Sequence, residues 1–387
     1  MSRRGRWPFE EKPLLVFWET TKACPLACIH CRAEAITRPL PGELSHAEGL
    51  ELVRQVAEFG RPYPILVFTG GDPLSREDIW ELVDEAHSLG VPVAMAPSPS
   101  RALLDNLDRI ASGKVSAVSI SIDHPSPEVH DKVRRYQGSW EAGVTAIREL
   151  IRRGVKVQVN TAVMRSTVDG LPGMVKLLKD LGVDVWEVFY LVPVGRAEAR
   201  EDLTPQEWED VSAFLYEASR YGINVRTSEG PMFRRVSLLL NYARSRNLEP
   251  SKLVKLGDLY LRLTGQLRAL LGEPGEEARF ETSGTRDGKG IAFISHDGMV
   301  YPSGFLPVPV GNVRRERLVD IYRRSRLMVS LREASFRGRC GSCEFKEICG
   351  GSRARAFAYS GDPLGEDPAC PYVPGSLGVN VKEVMAP

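Results

Sequence analysis

The sequence predicts an α/β protein: a partial (β/α)6 barrel followed by a small C-terminal α+β domain. Three observations predict it. Short apolar runs alternate with helical patterns from about residue 13 to 230, a leucine-rich helical stretch spans 231 to 275, and a hairpin with a cysteine-rich tail follows. The predicted organisation is therefore a core over 1–230, a helical bridging segment over 231–275 and a C-terminal domain over 276–387.

The apolar runs are Pro13 to Glu19, Ile65 to Thr69, Pro92 to Ala96, Ala117 to Ile122, Val155 to Val163 and Trp186 to Val192. Between them lie helices with recognisable starts. Ser45 with Glu48, and Thr204-Pro205 with Glu207, have the form of capping boxes, in which side chain and backbone at the first turn satisfy each other's hydrogen bonds. Strands separated by helices must pair in parallel. Six such units suit an open barrel, with a doubly wound sheet as the alternative, and both place function at the C-terminal ends of the strands. In the bridging segment Pro250 separates two helical patterns. In Phe293-Ile-Ser-His-Asp-Gly-Met-Val-Tyr-Pro-Ser303 the Asp297-Gly298 pair marks a turn between two short strands.

With 387 residues, 43% of them hydrophobic, the chain can bury a large core. Its net charge of +1 gives no global field towards nucleic acid or an anionic membrane, so neither is an expected partner. The N-terminal stretch has no long apolar run, resembles neither a signal peptide nor a spanning helix, and points to the cytoplasm. The seven cysteines fall into two groups near the chain ends at short spacings, which suggests metal rather than disulfides.

Cys24, Cys28 and Cys31 form a C-x3-C-x2-C triplet directly after the first strand. Three thiolates fill three corners of an iron–sulfur cubane and leave the fourth iron open. Zinc is the alternative, but it prefers four closed ligands, no fourth cysteine is near, and His30 inside the triplet is expected to face solvent or pack. The triplet resembles that of the radical S-adenosylmethionine (SAM) superfamily. Gly70-Gly71-Asp72-Pro73 after the second run is similar to that family's GGE motif, with Asp72 where Glu is common. The resemblance implies that an open iron chelates SAM, that its one-electron reduction yields a 5′-deoxyadenosyl radical, and that this radical abstracts hydrogen from substrate. It also implies that Gly70, Gly71 and Asp72 contact the cofactor's ammonium group. Ser121 and Asp123 at the end of the fourth strand, and Arg134 in the following His-Asp-x-x-Arg segment, resemble the family's ribose-contacting region. The expected roles are ribose contacts for Ser121 and Asp123 and a methionyl-carboxylate contact for Arg134; helix capping and a surface ion pair are the bland alternatives. Asn160 adds a polar group to the fifth strand, and the backbone near Leu191 and Val192 is expected to pack on adenine. No general acid or base is assigned.

Cys340, Cys343, Cys349 and Cys370 supply four thiolates, enough to close a second cubane; a tetrahedral zinc site also suits them. The tail resembles the SPASM/twitch extension, and most closely that of the heme d1 and alternative heme pathway members. It departs from full SPASM domains in having Tyr301-Pro302-Ser303 where those place a cysteine, so the expected cofactors are two [4Fe-4S] clusters and SAM. The resemblance implies a tetrapyrrole side-chain enzyme, with a ribosomal-peptide maturase and a non-catalytic iron–sulfur electron-transfer protein as alternatives. An electron donor such as ferredoxin or flavodoxin is the implied partner. The substrate is expected to be anionic: residues 231 to 271 hold Arg234, Arg235, Arg244, Arg246, Lys252, Lys255, Arg262 and Arg268 against only Glu249 and Asp258.

Overall fold

A computed structural model describes residues 7–275, 277–281 and 284–385. Residues 1–6 of the N-terminal stretch and residue 276, where the expected C-terminal domain begins, lie outside them. Among the described residues ten strands form one sheet: β1 (Leu15–Glu19), β2 (Ile65–Thr69), β3 (Val93–Met95), β4 (Ala117–Ser121), β5 (Lys156–Val163), β6 (Val185–Tyr190), β7 (Asn224–Ser228), β8 (Ile291–Ile294), β9 (Met299–Tyr301) and β10 (Gly311–Asn312). Their order is β10-β9-β8-β1-β2-β3-β4-β5-β6-β7, and every pair from β8 to β7 is parallel.

Each of the six predicted runs overlaps a strand, β6 starting just ahead of its run at Val185. β7 is an addition: Asn-Val-Arg-Thr-Ser buries only Val225, and it ends the parallel series, bridged beyond β6 by Phe280. Both capping boxes form, at Ser45 and Thr204. The bridging segment folds as two helices, Met232–Ser245 and Asp258–Leu271, with Pro250 starting a short turn between them. β8 and β9 pair as an antiparallel hairpin at whose turn Gly298 takes φ +83°, a conformation that costs glycine little.

Alternation along each strand sorts side chains into two environments. In β5, Val157, Val159, Thr161 and Val163 are buried against the helices, while Gln158, Asn160 and Ala162 stay half-buried on the barrel's inner face. The register puts Ser121, Asn160, Glu187 and Arg226 side by side across β4 to β7, a polar layer inside an apolar shell. Trp18, Trp186 and Trp208 anchor that shell, each fully buried; truncating any one to alanine costs roughly 3–5 kcal/mol.

Candidate cofactor and cluster sites

The triplet Cys24, Cys28 and Cys31 lies in the loop leaving β1, where it packs with Leu26 and Ala35. Several groups fix this loop. The Cys24 N–H donates to Ile36 O at 2.7 Å, and the Cys31 carbonyl accepts from the Arg196 N–H at 3.0 Å. The Arg196 guanidinium also donates to Cys28 O at 2.9 Å and Ala35 O at 2.8 Å. Ser98 Oγ stands 3.2 Å from Cys24 Sγ. Burial pushes the Cys24 thiol up to about 12, the Ser98 hydroxyl pulling the other way; a metal must displace that proton to bind.

Gly70 and Gly71 are required by close approach. A Cβ on Gly70 would sit 2.7 Å from Thr21 O, and one on Gly71 would sit 2.3 Å from Ala23 O, inside the cluster loop. Only residues without side chains let the end of β2 lie against that loop. Asp72 is fully buried; its Oδ1 accepts from Leu74 N and Ser98 N, whereas Oδ2 has no partner among the described residues. Burial pushes this carboxyl up to about 6. A buried acceptor left open beside the cluster loop fits the ammonium end of SAM.

Asp123 and Arg134 pair with each other. Arg134 Nε and Nη2 donate to the two Asp123 oxygens at 2.7 and 2.9 Å, and Ala162 N–H donates to Asp123 Oδ1 at 3.0 Å. Asp123 is fully buried, and although burial opposes its charge, Arg134 and the nearby histidines hold the carboxyl well below the usual range. Asp123 thus orients Arg134, whose Nη1 lies 3.8 Å from Cys28 Sγ. Ser121 and Asn160 remain half-buried on the inner face, as a ribose contact requires.

His30 is half-buried, its Nε2 4.0 Å from Asp123 Oδ2. With Leu191, Met164 and Arg196 it lines a cavity of about 240 Å³ beside the triplet. Its Nδ1 and the Arg196 Nη2 are buried without partners among the described residues, and burial pushes the imidazole down to about 4. The Leu191 carbonyl accepts from Arg355 Nη2 at 2.6 Å, so its backbone is fixed from the C-terminal side. Sequence reading missed Arg196, Ser98 and the Glu19 cluster. Glu19, ending β1, accepts from Arg32 at 3.0 Å and sits 2.9 Å from His296, while Arg32 lies 4.3 Å over Phe293. The available signal was position alone, since each ends a strand or follows one.

Cys340, Cys343, Cys349 and Cys370 line one cavity between the C-terminal domain and the helix Met232–Ser245. Among the described residues no group of three or more His, Cys, Asp or Glu converges as a single ion would require. The four thiols surround a volume. Arg353 Nη2 points at Cys340 Sγ from 3.5 Å and the Asp367 N–H from 3.4 Å, donors suited to thiolate sulfur.

A three-thiol loop after β1, a glycine pair pressed against it and a parallel open barrel define a radical SAM enzyme. Residues 18–178 match the radical SAM superfamily and 286–344 match SPASM, an iron–sulfur cluster-binding domain; the chain belongs to the radical SAM superfamily. Within it, this chain is similar to AdoMet-dependent heme synthase of Oleidesulfovibrio alaskensis, at 36% identity over 93% of this chain and 87% of that protein. It is 28% identical to pre-heme d1 synthase of Dinoroseobacter shibae, over 93% of this chain and 86% of that protein. SuiB of Streptococcus suis, bound to its precursor peptide SuiA, shares the fold at TM-score 0.66 and 15% identity, over 94% of this chain and 76% of that one. The radical SAM domain implies SAM and a [4Fe-4S] cluster, and the SPASM domain implies further iron–sulfur binding.

The eight basic residues of the bridging segment do not share one environment. Arg234 and Arg235 are buried: Arg234 donates to Ile348 O and Thr285 O, and Arg235 pairs with Glu209. The other six are exposed, on or between helices packed outside the barrel, where Arg262 pairs with Asp169 and Arg268 with Glu273. Charge counted along a sequence cannot tell such stems from a binding face. Among the described residues, no helix is long and apolar enough to cross a membrane.

Proposed function

We propose that this chain is a two-cluster radical SAM enzyme that modifies side chains of a tetrapyrrole on the way to heme. The observation that carries the substrate class is the likeness to AdoMet-dependent heme synthases along nearly the whole chain, barrel and tail together. Cys24, Cys28 and Cys31 hold the first cubane, and Cys340, Cys343, Cys349 and Cys370 close the second. Gly70, Gly71 and Asp72 receive the amino acid end of SAM, with Ser121, Asn160 and Leu191 along its nucleoside. Asp123 and Arg134 keep the cluster loop in place. When bound, the cluster and cofactor supply one-electron cleavage of the sulfonium and hydrogen abstraction from substrate. A cytoplasmic ferredoxin or flavodoxin is the fitting electron donor. The segments 1–230, 231–275 and 276–387 serve as core, bridge and auxiliary domain.

The test is anaerobic reconstitution followed by titration with a propionate-bearing iron porphyrin. About eight irons per chain are expected from two cubanes. Changing Cys24, Cys28 and Cys31 together to Ala should halve that and abolish deoxyadenosine formation, while porphyrin still shifts its absorbance at micromolar protein. Absence of any porphyrin binding, with turnover of a precursor peptide instead, would replace the tetrapyrrole reading by the maturase one.

A further inference from the structure

The helix Met232–Ser245 presents Arg235 to the cavity ringed by the four C-terminal cysteines. Arg235 is 1% exposed. Its Nη1 donates to Glu209 Oε1 at 3.0 Å and its Nη2 donates to Glu209 Oε2, a two-pronged pair with the helix Pro205–Ser219. The guanidinium lies 4.7 Å over the Tyr372 ring, close to Cys370 in sequence. Its Nε is buried and has no partner among the described residues. A guanidinium donor left unpaired inside a protein carries a desolvation penalty, which a sulfur acceptor in that cavity would remove.

Geometry thus sets a fixed positive charge at the wall of a cavity that four thiolates would make negative. A cubane closed by four thiolates gains a further negative charge on reduction. A neighbouring cation in a low-dielectric site stabilises that reduced state more than the oxidised one. Glu209, paired with the guanidinium, opposes this. Arg353, at 3.5 Å from Cys340 Sγ, acts in the same sense as Arg235 from within the C-terminal domain.

We infer that Arg235 is a positioning residue for the auxiliary cluster, donating through Nε to cluster sulfur and raising its reduction potential. The inference rests on the reading that these four cysteines close a cubane. It also assigns the buried charge of Arg235 to the cluster. The competing role is a staple between two helices, in which the ion pair contributes packing and leaves the potential alone.

The full-length chain carrying Cys24→Ala, Cys28→Ala and Cys31→Ala isolates the auxiliary cluster for an EPR-monitored redox titration. Adding Arg235→Gln should move its midpoint to more negative potential. Arg235→Lys should recover part of that shift. Glu209→Gln, which removes the compensating carboxylate, should move the midpoint the opposite way. A staple predicts loss of thermal stability in both glutamine variants with no movement of the midpoint, or movement in one direction, and either result overturns the inference. If Arg235→Gln does not retain its cluster, the Glu209→Gln midpoint decides alone, and an unchanged value is fatal. A parent chain that takes up no cluster of about four irons overturns the cubane reading itself, an outcome visible before any substitution is compared.

Discussion

Gly71 has a place for no atom beyond its backbone. Its added Cβ would meet Ala23 O at 2.3 Å and Lys22 O at 2.7 Å, both backbone atoms of the loop that carries Cys24, so the loop must move. Gly71→Ala should therefore lower reconstituted iron from about eight to about four per chain while sparing the C-terminal cluster. Eight irons and parental deoxyadenosine formation in that variant would contradict the close-approach argument. The cysteines and the glycine pair were legible because their chemistry is local: spacing alone brings three thiols together, and two adjacent glycines signal close backbone contact. Asp123 and Arg134 were legible as a neighbourhood but not as a pair. Nothing in the sequence says that a carboxylate at the end of β4 and a guanidinium eleven residues on will satisfy each other. Arg234 and Arg235 misled for the same reason, since burial reverses the meaning of charge.

At the scale of elements, the joint between β4 and its following helices depends on a neutral histidine. His130, in the helix Pro127–Arg134, accepts the Asp123 N–H on Nδ1 at 3.0 Å. Its Nε2 lies 3.2 Å from Ser139 Oγ, which donates onward to Pro99 O at 3.0 Å. Protonation would turn Nδ1 into a second donor facing the Asp123 N–H. Burial pushes this imidazole down to about 4, against about 6.5 in an unfolded chain. The unfolded state then binds a proton first, so this group's contribution is complete above about pH 6.5 and declines as pH falls towards 4. Linkage gives a loss of about 2 kcal/mol by pH 5. Denaturant unfolding at pH 7 and pH 5 should show a shallower decline in His130→Gln than in the parent. Equal declines would mean that another group governs this limb. Elements themselves were read well where one strand face is wholly buried and poorly where little is buried. β5 and β6 announce themselves through apolar alternation, but β7 buries one residue and its Asn-Val-Arg-Thr-Ser reads as loop.

For the whole molecule, the hairpin was legible but its pairing was not, because a sequence shows periods and turns and no partners. β8 lies parallel to β1, Leu15 opposite Ile291 and Trp18 opposite Ile294, so a strand from beyond the bridge covers the edge of the first barrel strand. The C-terminal domain grips the opposite end of the barrel as well. The fully buried Arg355 donates to Leu191 O at 2.6 Å and Glu229 O at 3.1 Å, where β6 and β7 end. Residues from beyond the bridge thus contact both β1 and the ends of β6 and β7. A chain stopped after Leu271 would expose the β1 ladder and leave the Leu191 carbonyl without its donor. An open apolar strand edge of this kind invites pairing between chains. The shortened chain should aggregate on size-exclusion chromatography and fail to hold the first cluster, and co-expression of the missing segment should recover soluble material. A shortened chain that elutes as a monomer with about four irons and cleaves SAM would show that the barrel closes without β8.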